Sequence, residues 1–203
     1  MRYYIGRLLV RIFGLKRFSY SSINEDNIID WLTGYKKNGI YIDVGANNPD
    51  SINNTRLFYE RGWRGINIEP TEKEFKLLQE RRVEDTNYNC AIGSGEINFF
   101  EGGEDNTGNT CDTDLALKRG IKNSRKITLK PLSEIFEENN LLKVDFISID
   151  VEGFEPEVLK SNDWNKYRAD ILCIEGRSCD FIKKFGYKKV FWDGCNTYYK
   201  SSN

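Results

Sequence analysis

The sequence predicts an α/β domain, Rossmann-like in its strand–helix alternation, whose seven-stranded, mostly parallel sheet has helices on both faces. Short apolar runs such as Ile40–Val44 recur between amphipathic helical segments, a pattern typical of buried parallel strands. Several of these runs end in an acidic residue where the chain turns towards a helix. Two strand-like runs joined around Gly194 close the chain and predict one antiparallel strand.

Length and composition limit the classes of function. With 203 residues, the chain has the length of one ordinary domain. Its 30 basic and 31 acidic side chains nearly cancel, so there is no general case for a nucleic-acid partner. Five cysteines without a C-x-x-C pair predict reduced thiols in a cytoplasmic protein. The absence of histidine excludes mechanisms with a histidine base and argues against a zinc site.

Residues 1–38 are predicted to form an N-terminal helical segment, with a second helix over 24–37, before the main domain of residues 39–203. Residues 1–18 carry basic but no acidic side chains and show apolar residues at helical spacing. The segment is too short and too interrupted to span a membrane. Two interpretations remain: a helix that packs on the domain or on a second subunit, which we favour, and a peripheral helix on anionic lipid at the inner membrane face.

The first strand of the main domain predicts a ligand site. It ends at Asp43, and Gly45 allows the backbone to turn sharply. In open α/β sheets, ligands bind beyond the carboxyl ends of the strands. Residues 45–50 read G-A-N-N-P-D, so the glycines of a dinucleotide fingerprint are missing. Asp43 would repel a pyrophosphate but suits S-adenosylmethionine, which carries an ammonium and a sulfonium. An NAD-type oxidoreductase stays open as an alternative.

The second strand, residues 65–68, leads into Glu69 and Pro70. An acid at this strand tip accepts hydrogen bonds from the ribose hydroxyls of either cofactor. A helix is predicted between the two strands over residues 51–61, with Asp50 or Ser51 as its cap. Its free backbone N–H groups would lie close to a methionine carboxylate. Ser51, Asn54 and Thr55 either line that site or only cap the helix.

The middle of the chain predicts a helix over 72–82, strands over 88–92, 96–100 and 126–129, and a helix over 131–136. Residues 102–125 are largely polar and begin with a glycine-rich run. We interpret them as a substrate loop, with an insertion of no function as the alternative.

The later strands bring more acids to the same edge. A buried strand over 145–150 ends in Asp150, followed by Glu152, and a strand over 170–175 ends in Glu175. A short helix over 180–185 and strands over 189–192 and 196–199 complete the sheet. With Asp43 and Glu69, these acids give one rim a negative charge that favours a cationic ligand.

Several motifs carry a family resemblance. They are I-D-V-G-A-N at 42–47, Ser51 with N-T at 54–55, G-W-R-G at 62–65 and I-E-P at 68–70. A-I-G at 91–93, residues 145–155 and N-T-Y at 196–198 continue the match. Together they resemble the FkbM family of S-adenosylmethionine-dependent methyltransferases, over residues 39–200. One departure is Pro49, where the family often has glycine.

The resemblance implies a class I methyltransferase fold and O-methylation of a sugar hydroxyl in polysaccharide or glycolipid biosynthesis, the acceptor being free or lipid-linked. The implied cofactor contacts are Asp43, Gly45, Ala46, Asn47, Ser51, Thr55, Glu69, Pro70, Cys90, Ala91 and Asp150.

Without histidine, a carboxylate is the predicted base, with Asp150 first and Glu152 or Glu175 next. A magnesium or calcium ion on the same three residues is the alternative. A non-catalytic binding module that keeps the cofactor pocket also stays open.

Overall fold

The computed structural model describes residues 19–102, 108–177 and 179–202, so the predicted helix over 1–18 lies outside the described residues. The helices are α1 Glu25–Leu32, α2 Arg56–Glu60, α3 Glu72–Arg81, α4 Thr113–Arg119, α5 Leu132–Glu138 and α6 Glu155–Lys160, with a 3₁₀ helix at Asp180–Phe185. The strands are β1 Ile40–Val44, β2 Arg64–Ile68, β3 Thr86–Tyr88, β4 Glu96–Phe100, β5 Ser124–Thr128, β6 Lys143–Ile149, β7 Arg168–Glu175, β8 Tyr187–Trp192 and β9 Asn196–Ser201.

Seven strands form one sheet in the order β3-β2-β1-β6-β7-β9-β8. The pairs among β3, β2, β1, β6 and β7 are parallel, whereas β9 runs antiparallel to both of its neighbours. The predicted fold class is therefore confirmed, including the single antiparallel strand. The register pairs Val44 with both Ile68 and Ile149, so β1, β2 and β6 end at the same edge of the sheet.

Apolar side chains bury both faces of this sheet. One cluster joins Ile42 and Ile147 to Leu132 of α5 and Val158 of α6. The opposite cluster packs aromatic side chains, among them Phe58 of α2, against the other face. Helices α1, α2, α5 and α6 thus cover the two faces of the sheet with their apolar sides. None of the described helices is long and apolar enough to cross a membrane.

Two predicted helices were wrong in their extent. The helix predicted over 51–61 begins only at Arg56, so neither Asp50 nor Ser51 caps it. The side chain of Asn53 accepts the backbone N–H groups of Thr55 and Arg56 and replaces the expected cap. The helix predicted over 24–37 ends at Leu32 because Gly34 and Tyr35 adopt left-handed backbone angles of 69° and 57°.

The third strand was also misplaced. It was expected over 88–92, but β3 ends at Tyr88, its last residue in register with β2. A separate two-stranded sheet, β4 with β5, follows and lies outside the main sheet. Residues 108–125 of the predicted loop contain α4, which begins after Asp112 and ends before the left-handed Gly120. These two residues were a helix start and stop signal that the polar composition obscured.

Candidate active site

A cavity lies at the carboxyl edge of the sheet, over the ends of β1, β2 and β6. Predicted site residues that line it are Asp43, Gly45, Ala46, Asn47, Asn54, Glu69, Pro70, Cys90, Ala91, Asp150 and Glu152. The structure therefore brings together most of the residues chosen from the sequence. Three predicted site residues do not line the cavity, namely Ser51, Thr55 and Glu175.

Gly45 joins the two central strand ends. Its backbone φ is +82°, and an added Cβ would lie 2.0 Å from the carbonyl oxygen of Asp150. The Asp150 N–H donates to the carbonyl of Val44 at 3.0 Å, which fixes the two strand ends together. The sequence suggested that a ligand approaches Gly45, but the closest group is the backbone of β6's own extension. The absence of a side chain at Gly45 thus allows the backbone of Asp150 to pack directly against the end of β1.

Asp43 is a buried carboxylate at the floor of the cavity, only 3% exposed. Thr55 donates from Oγ1 to its Oδ2 at 2.8 Å and lies behind it, so Thr55 acts on the cavity through Asp43. Burial raises the pKa of Asp43 to about 6, although the Thr55 hydrogen bond and the charge of Arg82 oppose the shift. Asp43 is costly to ionise unless a cation stands beside it.

Glu69 is held by two backbone donors. Its Oε2 accepts the N–H of Asn47 at 2.9 Å, and its Oε1 accepts the N–H of Thr71 at 2.8 Å. Burial raises the pKa of Glu69 despite these hydrogen bonds. Each carboxylate oxygen keeps a further lone pair, so Glu69 can accept hydroxyl donors from a ligand in the cavity.

Three carboxylates gather where β6 and β7 end. One oxygen from each of Asp150, Glu152 and Glu175 lies within 4.8 Å of the others. Burial, with the charges of Glu152 and Glu155, raises the pKa of Glu175 to about 7. Desolvation by the surrounding protein and the charges of Glu175 and Glu152 raise the pKa of Asp150 well above its ordinary value. The residue nevertheless stays partly exposed to the cavity. These two carboxylates therefore interact as a pair, and each binds a proton more tightly than an isolated carboxyl does.

Glu152 differs from its neighbours because it has a cationic partner. Arg119 of α4 donates from Nη2 to its Oε2 at 2.6 Å. Thr110 donates from Oγ1 to the Glu152 carbonyl at 2.6 Å. The three carboxylates have the hard oxygen ligands that magnesium and calcium prefer, but Arg119 already balances one of them.

The raised pKa values predict how the stability of the ligand-free protein depends on pH. Native Asp43 and Glu175 hold protons more tightly than the unfolded chain does, so their contribution is complete below about pH 4 and lost as pH rises towards 7. We expect the free energy of unfolding to fall by about 2–4 kcal/mol between pH 5 and pH 7.5. Urea unfolding at both pH values measures it. The Asp43→Asn variant should show a smaller fall, and a rise with pH would contradict the assignment.

Sequence reasoning named the far wall of the cavity only in part, as the substrate loop of residues 102–125, and chose none of its side chains. Phe99 of β4, Cys111 before α4 and Phe154 before α6 form its apolar part. Asn109 and Thr110 line it as well, and Asn109 donates to Thr71 Oγ1 at 3.0 Å. Only tertiary packing brings these side chains to the sheet edge, and no local pattern marks them.

The lining chemistry fits a cationic nucleoside cofactor. Asp43, Glu69, Asp150 and Glu152 line the cavity, whereas no lysine or arginine does so among the residues that the structure describes. A pyrophosphate would meet like charge there, but a ligand with an ammonium and a sulfonium would meet opposite charge. The residues present therefore fit S-adenosylmethionine better than a dinucleotide.

Comparison with known proteins agrees with this chemistry. A family model described as the methyltransferase FkbM domain matches residues 43–189. A search of curated protein sequences finds no match. Among solved structures, the METTL16 MTase domain superposes with a TM-score of 0.52 at 12% identity, covering 100% of this chain and 79% of that one. The Burkholderia thailandensis 1,6-didemethyltoxoflavin-N1-methyltransferase gives 0.47 at 11% identity, covering 88% and 77%.

Proposed function

The chain belongs to the FkbM family of S-adenosylmethionine-dependent methyltransferases, and from this membership we propose that it methylates a hydroxyl group of a sugar or glycan. The observation that carries the proposal is the pair Asp150 and Glu175 beside the Gly45 turn. A hydroxyl acceptor must lose a proton, and this chain has no histidine to take it. Two adjacent carboxylates whose pKa values are both raised support that role.

Each wall of the cavity has a proposed task. Asp43 holds the cationic end of the cofactor, Glu69 accepts the ribose hydroxyls, and Cys90 with Ala91 contacts the adenine. When bound, S-adenosylmethionine supplies a methyl group on a sulfonium that becomes a neutral thioether after transfer. Asp150 accepts the acceptor's hydroxyl proton, and Glu175 shares that proton. Glu152, held by Arg119, adds negative charge that keeps Asp150 basic.

Alternative roles for these carboxylates and for segment 1–18 can be tested by experiment. A divalent ion on Asp150, Glu152 and Glu175 would lower the hydroxyl's pKa instead of a base removing the proton. A lipid-linked acceptor is proposed from the basic residues of segment 1–18, which would bring the enzyme to anionic lipid. The same segment is the proposed contact if the chain forms a homo-oligomer.

Calorimetric titration with S-adenosylmethionine, S-adenosylhomocysteine and NAD, each with and without magnesium, tests the proposal. We expect micromolar binding of both adenosyl compounds, no binding of NAD and no requirement for magnesium. Binding that requires magnesium would favour the metal reading. Binding of NAD alone would favour an oxidoreductase, and binding of none of the three would contradict the proposed function.

Replacing Glu69 by alanine should weaken S-adenosylhomocysteine binding by about 1–3 kcal/mol, since two ribose hydroxyls lose their acceptor. The same titration measures the loss. Glu72→Ala is the matched control, because Glu72 is an exposed acid that begins α3 three residues later. Equal affinities of the Glu69 and Glu72 variants would remove Glu69 from the binding site.

A further inference from the structure

Arg82 is a buried arginine that reaches the loop after β1 from the opposite side of the cavity wall. It directly follows α3 and is only 2% exposed. Its Nη2 donates to the carbonyl of Pro49 at 2.9 Å and to Oδ1 of Asn53 at 3.0 Å. Its guanidinium lies 4.8 Å from the ring centroid of Tyr59, which covers its face. A buried arginine is stable only where its partners compensate the free-energy cost of removing its charge from water.

The loop that Arg82 contacts has an unfavourable backbone shape. Asn47 and Ile52 have φ angles of +47° and +52°, in the left-handed region. For a β-branched residue such as Ile52 this conformation is strained and needs support from its surroundings. Both residues line the cavity, and Ile52 is 62% exposed there. The strained conformations thus occur where the loop lines the cavity.

Asn53 transmits the position of Arg82 to the cavity. Its Nδ2 donates to the carbonyl of Ala46 at 2.9 Å, and Ala46 lines the cavity. Its Oδ1 accepts the N–H groups of Thr55 at 3.1 Å and Arg56 at 2.8 Å in addition to Arg82. The guanidinium of Arg82 therefore holds Pro49 directly. Through the side-chain amide of Asn53, it also holds the end of β1, the loop and the start of α2.

We propose that Arg82 is a positioning residue that holds the loop of residues 47–54 in the shape that receives the methyl donor. The proposal rests on the proposed function for its ligand, and on the hydrogen bonds of Arg82 for its geometry. Arg82 touches neither the cofactor nor the reacting atoms, because it lies behind the cavity lining. Its effect on binding passes through Pro49, Asn53 and Ala46.

The charge of Arg82 has a second effect on the same site. Burial raises the pKa of Asp43, and the cation of Arg82 limits this rise. The hydrogen bond from Thr55 also lowers that pKa, whereas the carboxylates of Glu69 and Asp85 raise it. Binding of a cationic ligand needs ionised Asp43, so affinity falls as pH drops through its pKa. Loss of the Arg82 charge should move this fall to higher pH.

Three variants separate the two effects. Arg82→Met removes both the charge and the hydrogen bonds. Arg82→Lys keeps the charge but has no planar group to bridge Pro49 and Asn53. Arg81→Met is the matched control, because Arg81 is the preceding residue, is 61% exposed and meets the same loop only through a 3.4 Å ion pair with Asp50. Hydrogen exchange of the loop amides and S-adenosylhomocysteine affinity from pH 5.5 to 8.5 are measured on each.

In Arg82→Met we expect the amides of Asn53, Thr55 and Arg56 to exchange about tenfold faster while β1 stays protected. Affinity should fall by about tenfold at pH 7, and its decline should begin at higher pH. Arg82→Lys should show the faster exchange with the wild-type pH dependence, and Arg81→Met should match the wild type in both.

Exchange and affinity within twofold of wild type in Arg82→Met would overturn the proposal. If that variant does not fold, Arg82→Lys decides, since unchanged loop exchange in it would overturn the proposal equally. The exchange measurement needs no ligand. If the wild-type protein binds no adenosyl compound, the proposed function is refuted. The exchange data then still decide whether Arg82 positions the loop.

Discussion

The Asp150→Asn variant should lose methyl transfer by a factor of about 10² to 10⁴, the contribution typical of a general base. Its affinity for S-adenosylhomocysteine should stay close to that of the wild type. The asparagine keeps the size and the backbone of Asp150, including the N–H bonded to Val44, but has no carboxylate to take a proton. Transfer from radiolabelled S-adenosylmethionine to a panel of hydroxylated sugars measures the effect.

Asp170→Asn is the matched control for this substitution. Asp170 lies on β7 near its first residue, is 43% exposed, and pairs with Lys143 at the surface. Its variant should transfer methyl groups at the wild-type rate. Full activity of Asp150→Asn would remove Asp150 as the base and favour Glu175, whereas loss of cofactor binding would give Asp150 a role in the pocket instead.

The second large effect is expected from Gly45→Ala. The added Cβ would lie 2.0 Å from the carbonyl oxygen of Asp150, and an alanine at φ +82° is strained in itself. Overpacking and the left-handed backbone together should lower the free energy of unfolding by about 2–5 kcal/mol. That is a large fraction of the stability of an ordinary domain. Urea unfolding measures the loss.

Gly62→Ala separates the two causes. Gly62 has φ +94° but nothing within 4 Å of an added Cβ, so its substitution contains the backbone strain alone. We expect it to lose about 1–2 kcal/mol, clearly less than Gly45→Ala. Equal losses in the two variants would mean that β1 and β6 separate easily and that the contact of Gly45 with Asp150 is not a rigid one.

The central sheet was predictable because its signals are local. An apolar run that ends in an acid, as at Asp43 or Asp150, indicates both the strand and the edge where it stops. The loop after β1 was not predictable in this way. Its route is set by hydrogen bonds of the Asn53 side chain and of the buried Arg82, which lies 29 positions further along the chain. Long-range hydrogen bonds of this kind leave no period in the sequence.

The same distinction explains the outcome at the candidate site. Glu69 and Asp43 were chosen from their strand-tip positions, and both line the cavity. Ser51 was chosen as a helix cap, and it lies away from the cavity on an exposed turn because the helix begins five residues later. Phe99 was missed, and Cys111 was covered only by the predicted substrate loop of residues 102–125, because the packing that brings them to the cavity is tertiary.

The small sheet of β4 and β5, with α4 between them, makes the cavity a composite of two modules. Asp43 and Glu69, which we propose hold the methyl donor, lie at the ends of the main sheet, while Phe99 and Cys111 come from the module of β4, β5 and α4. The module joins the carboxylates through a few polar contacts, chiefly Arg119 and Thr110 on Glu152. Exchange of this module between related enzymes should therefore change the apolar wall of the cavity, while Asp43 and Glu69 keep their positions at the strand ends.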